Sequence, residues 1–265
     1  MFCIYSKVDN MYGILDTDDN VVEYFSIDKI KELLNQGVKI YGATLFNSKV
    51  YIKPVVFNDS AIELAKRLLV DSIWKSANLE GLGTTFPKTE AILENISVKT
   101  NKEEMLFILN MKSAWQFLLD NISYSNNLLF IRQLNQLVGE GLFINNGIVR
   151  TSIVQIGGTS WIPDIPIEDL IINSLNEINS ISDIELRALK MFCYLSRTQI
   201  FIDGNKRIAQ LMANKVLIEN NIGIFQIPID FLEQFKELLI NFYETNNDKQ
   251  IINFMKKHCI VKIKY

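Results

Sequence analysis

The sequence predicts a mostly α-helical protein with a small α+β module at its N-terminus. Two observations support this fold class. Residues 11–25 alternate apolar and polar side chains and residues 38–55 are rich in Tyr, Ile, Val and Thr, as strands are, whereas apolar residues recur at helical spacing from Ser60 onward. We therefore expect an α+β module over residues 1–55 and a helical domain over residues 56–265.

The N-terminal module is predicted to combine strands with one short helix. Residues 11–25 form a hairpin whose turn falls in the polar run Asp16–Asn20. Ser26 has the side chain of a helix N-cap, and the apolar residues after it have the spacing of one helical face. Residues 38–55 return to strand composition around a turn at Asn47–Ser48.

The helical domain begins with the capping-box pattern Ser60-x-x-Glu63, in which each side chain can accept a free backbone N–H of the other residue. An apolar stripe continues from there to Gly81, where glycine favours a helix end, so we expect a helix over about residues 60–81. Helical spacing then recurs in Met105–Leu119, Leu128–Leu142, Ile167–Ile178, Ile184–Leu195, Asn205–Glu219 and Phe231–Tyr243.

Composition and charge describe a globular chain and exclude some classes of partner. The 265 residues are 48% hydrophobic and 22% charged, which is enough apolar material for a sizeable core. The net charge is −3 and there is no basic cluster. We therefore expect no nucleic-acid partner, because binding to a phosphate backbone needs a concentrated cationic face.

The apolar runs and the cysteines of the sequence bear on the location of the protein in the cell. No apolar run approaches the length of about 18 residues that a membrane span needs, and we expect no membrane association. The cysteines Cys3, Cys193 and Cys259 are widely separated and lack metal-ligand spacing, which suits a reducing compartment. We predict a cytoplasmic location, with an exported effector as the alternative.

The most informative segment is Gln199–Arg207, in which an apolar entry is followed by an acid, a glycine, an amide and two cations before an amphipathic helix. Free N–H groups at the start of that helix, a glycine that permits close approach, and the charges of Lys206 and Arg207 together predict a phosphate site. Asp203, just before Gly204, is placed to hold a divalent cation that bridges the phosphates.

This segment resembles the signature loop of Fic-domain proteins, His-Pro-Phe-x-(Asp/Glu)-Gly-Asn-(Gly/Lys)-Arg, and we call residues 199–207 the signature loop. Six positions match: Phe201, Asp203, Gly204, Asn205, Lys206 and Arg207. The resemblance implies AMP transfer from ATP to a protein hydroxyl. It further implies that Asp203 holds Mg²⁺, that Gly204, Asn205 and Arg207 bind phosphates, and that Lys206 assists.

Gln199 stands where the family has its catalytic histidine, and Ile200 stands where it has proline. The histidine accepts the proton of the target hydroxyl, which a glutamine amide cannot do because it has no proton affinity near neutral pH. The only histidine, His258, lies far along the chain. The sequence therefore predicts an impaired or dormant adenylyltransferase, or alternatively a module that binds nucleotide and protein without chemistry.

Residues 147–166, which we call the flap, resemble the hairpin that covers the Fic active site. The alternating run 153–156 predicts a short strand, Gly157 and Gly158 a turn, and Pro163 and Pro166 an extended return. The resemblance implies that an unidentified target protein docks here by strand-like pairing. The residues expected to carry this docking are Ile156, Gly157, Gly158 and Thr159.

Ser76-Ala-Asn-Leu-Glu80-Gly81 resembles the Fic inhibitory motif (Ser/Thr)-x-x-x-Glu-(Gly/Asn), whose glutamate disturbs the γ-phosphate position. Ser76 and Glu80 lie four residues apart and share a helix face. Regulated family members carry a second arginine that pairs with this glutamate, but Gln210 stands at that position. Lys206 and Arg207 are therefore the expected partners of Glu80.

Two minor alternatives follow from these departures. The motif Asn205-Lys206-Arg207 without a second arginine also resembles that of the Doc toxins, which transfer phosphate rather than AMP. Removal of AMP from a target is the other alternative, with Glu80 aligning a water molecule.

Overall fold

The computed structural model describes residues 2–8, 11–16, 21–52 and 60–263. Two compact units are present, an N-terminal unit within residues 1–59 and a second unit over Ser60–Ile263. The predicted boundary after residue 55 and most of the predicted turn Asp16–Asn20 lie outside the described residues. The exact boundary therefore stays a prediction.

The N-terminal unit contains a four-stranded sheet. Its strands lie in the order β3 (Val21–Ser26), β2 (Met11–Asp16), β1 (Phe2–Val8) and β4 (Ile40–Tyr41). Neighbouring strands are antiparallel except for the parallel pair β1 and β4. The helix α1 (Ile27–Asn35) lies between β3 and β4 in sequence, and Ile4, Ile14, Ile30 and Ile40 form a small buried core.

Local signals account for the remaining features of this unit. The hydroxyl of Ser26 accepts the N–H of Lys29 and begins α1 as predicted. β5 (Ala43–Phe46) and β6 (Lys49–Ile52) form an antiparallel ladder. They are joined at Asn47 and Ser48, which have φ angles of 46° and 61°. Left-handed conformations at both central residues match the right-handed twist of a tight hairpin.

The second unit is built around one helix, α9 (Asn205–Glu219), whose residues are all buried except Lys206 and Glu219. A helix that is buried on every side lies at the centre of a domain, and α9 packs against α2, α5, α6 and α8. The other helices are α2 Ala61–Arg67, α3 Leu69–Leu79, α4 Phe86–Leu93, α5 Lys102–Asp120, α6 Leu128–Gly139, α7 Glu168–Asn179, α8 Ile184–Thr198, α10 Leu232–Thr245 and α11 Lys249–His258.

A short antiparallel pair, β7 (Gly223–Phe225) with β8 (Ile260–Lys262), completes this unit. The predicted helices are present, and the mostly α-helical fold class is confirmed. The helix expected over residues 60–81 is divided at Leu68, which has φ −98° and ψ 15°. Its start is as predicted, because the Ser60 hydroxyl accepts the N–H of Glu63.

Neither α4 nor α11 was predicted from the sequence pattern. A usable signal for α4 was Thr85 followed by Pro87: Thr85 caps the helix, and proline is tolerated in the first helical turn. Both Cys193 and Cys259 are buried, and burial raises the pKa of each thiol. No helix among the described residues combines the length and the apolar character that crossing a bilayer requires. The cytoplasmic location stays a prediction.

We predict that Lys215 makes a large contribution to the stability of the second unit. Its ammonium group is fully buried and donates to the carbonyls of Ile122 and Tyr124 at 2.8 and 2.6 Å and to Glu219 at 2.8 Å. Lys215→Ala removes the donor from both carbonyls and the cation from Glu219, and should cost about 3–5 kcal/mol in the free energy of unfolding, measured by chemical denaturation. Lys236→Ala removes an exposed pair and should cost less than about 1 kcal/mol. Equal losses would contradict the prediction.

Candidate functional site

The signature loop joins the end of α8 to the start of α9 through two left-handed residues. Gln199 ends α8 with φ 51° and ψ 61°, and Gly204 begins α9 with φ 81°. A side chain at Gly204 would contact Asn135 Nδ2 at 3.0 Å and Val138 Cγ2 at 3.2 Å. Both the backbone conformation and the lack of space therefore favour glycine at this position.

Asn205 determines the shape of the loop. Its side-chain oxygen accepts the N–H of Phe201 at 2.9 Å, and its Nδ2 donates to the Phe201 carbonyl at 2.8 Å and to Gln199 Oε1 at 3.0 Å. Asn205 is buried. Its predicted contact with phosphate stays a prediction, since both ends of the amide bind the loop itself.

Gln199 is held by its side chain at both ends. Its Nε2 donates to the Ser196 carbonyl at 2.6 Å, while its Oε1 accepts from Asn205. Its backbone carbonyl accepts from Arg150 Nε at 2.6 Å. The residue at the histidine position therefore supports the loop and supplies no titratable group.

Arg207 is a buried cation at the first turn of α9. Its guanidinium donates to the Val138 carbonyl at 3.0 Å, pairs with Asp203 Oδ1 at 3.2 Å, and lies over the rings of Phe107 and Phe143 at 5.2 and 5.5 Å. Among the described residues its Nε is buried without a hydrogen-bond partner. Arg207 is thus held rigidly, and its Nε is a donor without a partner among the described residues.

The N-terminus of α9 favours an anion. No side chain in the described part of the chain caps it, and the partial positive charge of its first N–H groups is therefore not compensated by a cap. The carboxylate of Asp203, which is 60% exposed, lies beside it and accepts the N–H of Gly204. Asn135, which the sequence analysis did not identify, fixes this position, because its Nδ2 donates to the Asp203 carbonyl at 2.9 Å.

The predicted inhibitory residues contact α9. Glu80, at the end of α3, pairs through Oε2 with Lys206 Nζ at 2.8 Å. Ser76 is buried, and its hydroxyl accepts from Gln210 Nε2 at 3.2 Å. Of the two partners expected for Glu80, the structure pairs it with Lys206.

A cleft of about 460 Å³ lies in front of this arrangement. Its size is within the range of small-molecule sites. It brings Glu80 from α3 together with Asp203 and Arg207 from the signature loop. The lining residues are Glu80, Leu82, Lys102, Glu103, Leu106, Phe107, Gly141, Leu142, Asp203 and Arg207.

The flap corrects one prediction. Residues 153–156 form no strand, so the predicted β-hairpin is wrong as a ladder, although Gly157 and Gly158 do form a turn with φ 84° at Gly158. The return segment contains Pro163 and Pro166, which have no N–H to donate to a ladder. Its carbonyl groups at residues 163 and 164 bind a side chain instead.

That side chain is Arg150, which the sequence analysis did not identify. Its buried guanidinium donates to the carbonyls of Ser152 and Asp164, both at 2.6 Å, and to that of Pro163 at 3.3 Å. The same group reaches the Gln199 carbonyl, and the Arg150 N–H donates to Ile200 at 3.0 Å. Arg150 therefore joins both arms of the flap to the signature loop.

The tip of the flap has a second anchor. Glu244 on α10 accepts the hydroxyl of Thr159 and the N–H of Ser160, each at 3.0 Å. These hydrogen bonds lower the pKa of the Glu244 carboxyl. Trp161 stacks on the Arg197 guanidinium at 3.8 Å.

Two other groups bear on catalysis and metal binding. His258 packs against Phe231 and Phe254, with ring centroids 4.3 and 5.0 Å apart, and belongs to an aromatic cluster on the C-terminal helices. Within the described residues no group of three or more Asp, Glu, His or Cys side chains has the arrangement of a metal site. Asp203 alone fits Mg²⁺ only as a cation that is held chiefly by phosphates and water.

Comparison with solved structures identifies the fold. A fragment of Fic-1 from C. elegans superposes with a TM-score of 0.64 and 19% identity over 88% of this chain and 68% of that one. A Fic-domain signalling protein from Bacteroides thetaiotaomicron superposes with a TM-score of 0.58 and 20% identity, over 74% of this chain and 82% of that one. A Fic family protein from Desulfovibrio desulfuricans superposes with a TM-score of 0.60 and 15% identity, over 77% of this chain and 73% of that one. No family model and no curated protein matches the sequence.

We predict that Arg150→Lys will loosen the flap. An ammonium group cannot reproduce the fork of donors that reaches several carbonyls at once, and we expect a loss of about 2–3 kcal/mol in stability. Hydrogen exchange should speed up in residues 151–164. Arg187→Lys is the control, because within the described ranges that guanidinium donates to a single carbonyl, Ile181 at 2.7 Å. Unchanged exchange in the flap would contradict the prediction.

Proposed function

Because this chain has the fold of the Fic domain proteins, we propose that it belongs among them and that its signature loop binds ATP with Mg²⁺. We further propose that it is a scaffold for AMP transfer to a protein hydroxyl, dormant as long as Gln199 occupies the position of the base. The observation that carries the proposal is the uncapped start of α9, with Arg207 rigidly held at its first turn, beside the cleft.

Phosphate binding is the best supported part. Free N–H groups at a helix start, a glycine with no side chain, and a buried arginine form a preorganised anion site. Arg207 lines the cleft, and its buried Nε has no hydrogen-bond partner among the described residues. Lys206 adds charge once it leaves Glu80.

Asp203 is the residue that would hold Mg²⁺. When bound, the cation would neutralise charge on the phosphates. One exposed carboxylate suits this, because Mg²⁺ commonly takes one or two carboxylates together with phosphate oxygens and water. Asp203 would then exchange part of its pairing with Arg207 for the cation.

The chemistry shows what Gln199 lacks. In AMP transfer the target oxygen forms a bond to the α-phosphorus, the bond from that phosphorus to the bridging β-oxygen breaks, and pyrophosphate leaves with that electron pair. The hydroxyl proton needs an acceptor. Loss of a positioned base costs about 10²–10⁴ in rate, and His258 lies in a separate aromatic cluster.

The flap would supply target docking. Its residues 153–156 are in no ladder, so their backbone groups are open to pairing with an extended segment of a target protein. Glu244 and Arg150 hold the two ends of this segment in place. A target paired there would be aligned with the signature loop through Arg150.

A second candidate is a nucleotide-binding module without chemistry. The specific observation in its favour is that the Gln199 amide makes two hydrogen bonds that stabilise the loop. In this candidate the residue serves the shape of the site, and nucleotide occupancy controls protein binding at the flap.

We predict measurable affinity for Mg²⁺-ATP by calorimetry, with a dissociation constant between micromolar and millimolar, about −8 to −4 kcal/mol. Glu80→Gly should increase the affinity for ATP about two- to fivefold, because the Glu80–Lys206 ion pair that it removes is partly exposed and worth about 0–1 kcal/mol. The affinity for ADP should stay nearly unchanged, because Glu80 is expected to act on the γ-phosphate.

Glu94→Gly is the matched control for this substitution. Glu94 ends α4 with φ −90° and ψ 5°, close to the −82° and 0° of Glu80, but it does not line the cleft. No binding of any nucleotide at millimolar concentration would overturn the proposal.

We predict that Gln199→His combined with Glu80→Gly will transfer label from α-labelled ATP to itself or to a protein of a lysate, whereas each single variant labels weakly. Adding Asp203→Ala should abolish the labelling. Label from the γ-phosphate alone would favour phosphate transfer of the Doc kind. Release of AMP from a labelled target would favour the reverse reaction, and a folded double variant that binds ATP without labelling would favour the binding module.

A further inference from the structure

The cations around the cleft differ in how far they are already paired. Lys206 is bound to Glu80 at 2.8 Å. Arg207 is bound to Val138 and Asp203. A polyphosphate that enters the cleft must therefore compete with existing partners of both residues.

Gln210 does not replace the missing charge. Its Nε2 donates to Ser76 and to the Lys206 carbonyl at 3.3 Å, and the residue is buried away from the cleft. The position from which regulated Fic proteins present a second arginine therefore contributes no cation here.

Lys102 lies on the wall of the cleft contributed by α5. It is exposed and makes no hydrogen bond or ion pair within the part of the chain that the structure describes. It is also the first residue of α5, where the helix dipole disfavours a positive charge. An unpaired cation in this position is placed for an external anion rather than for the stability of its own helix.

We propose that Lys102 binds the terminal phosphate of the nucleotide and makes the site prefer a triphosphate over a diphosphate. This rests on the proposed nucleotide binding. Lys102 and Arg207 come from different helices and line the same cleft. In this proposal a phosphate chain held at the start of α9 extends to Lys102. The ammonium group then supplies the charge that Gln210 cannot.

The test compares Mg²⁺-ATP, Mg²⁺-ADP and inorganic tripolyphosphate by calorimetry on the full chain. Lys102→Gln should weaken ATP and tripolyphosphate about tenfold and change ADP by less than about twofold. Lys102→Arg should retain the preference. Lys99→Gln is the matched control, since Lys99 is exposed, lies three residues away, and does not line the cleft.

The outcomes separate the two proposals. If the wild-type protein binds none of the three probes, the nucleotide site itself is wrong. If it binds them and Lys102→Gln weakens ATP and ADP equally, Lys102 acts on another part of the nucleotide, and the inference is overturned. Unchanged affinities in Lys102→Gln overturn it as well. A melting temperature within about 2 °C of wild type shows that the variant is folded.

Discussion

The guanidinium of Arg150 is buried and satisfies its donors with backbone carbonyls rather than with a carboxylate. Those carbonyls belong to both arms of the flap, at Ser152, Pro163 and Asp164, and to the signature loop at Gln199. A buried charge that loses such partners is expensive, because it cannot recover water. The positions of the flap and of the loop are therefore coupled.

Hydrogen bonds from amide side chains also determine the shape of the site. Asn205 holds the loop from within, and Asn135 links the Asp203 carbonyl to the N–H of Gly147 at the start of the flap. These contacts involve only groups of the protein itself, so the proposed anion site would need little ordering on binding, which lowers its cost. The Glu80–Lys206 pair differs, because both side chains are partly exposed. Such a pair is worth about 0–1 kcal/mol, so it holds Glu80 and Lys206 together only weakly.

Local pattern explains how much of this could be predicted from the sequence. Helices with a clear apolar stripe, the Ser26 and Ser60 caps and the turn at Gly157–Gly158 all depend on neighbours a few residues apart, and the structure contains them. Arg150 and Lys215 were not identified, since their partners lie up to 49 and 93 residues away. The flap hairpin was predicted wrongly because alternation in residues 153–156 indicates a strand but does not reveal its partner. The return segment has Pro163 and Pro166, which lack N–H groups, and its carbonyls at residues 163 and 164 accept from Arg150.

Under the proposed function, Gln199 keeps the shape of the site without supplying a base. A neutral imidazole offers one donor and one acceptor, and the glutamine amide uses one of each, donating to Ser196 and accepting from Asn205. The hydrogen-bond pattern that holds the loop is thus compatible with either residue, while only imidazole titrates near neutral pH. Loss of the base costs about 10²–10⁴ in rate, or roughly 3–5 kcal/mol of barrier. The anion site that we propose at the start of α9 does not depend on that base, so binding and turnover are separable in the proposed function.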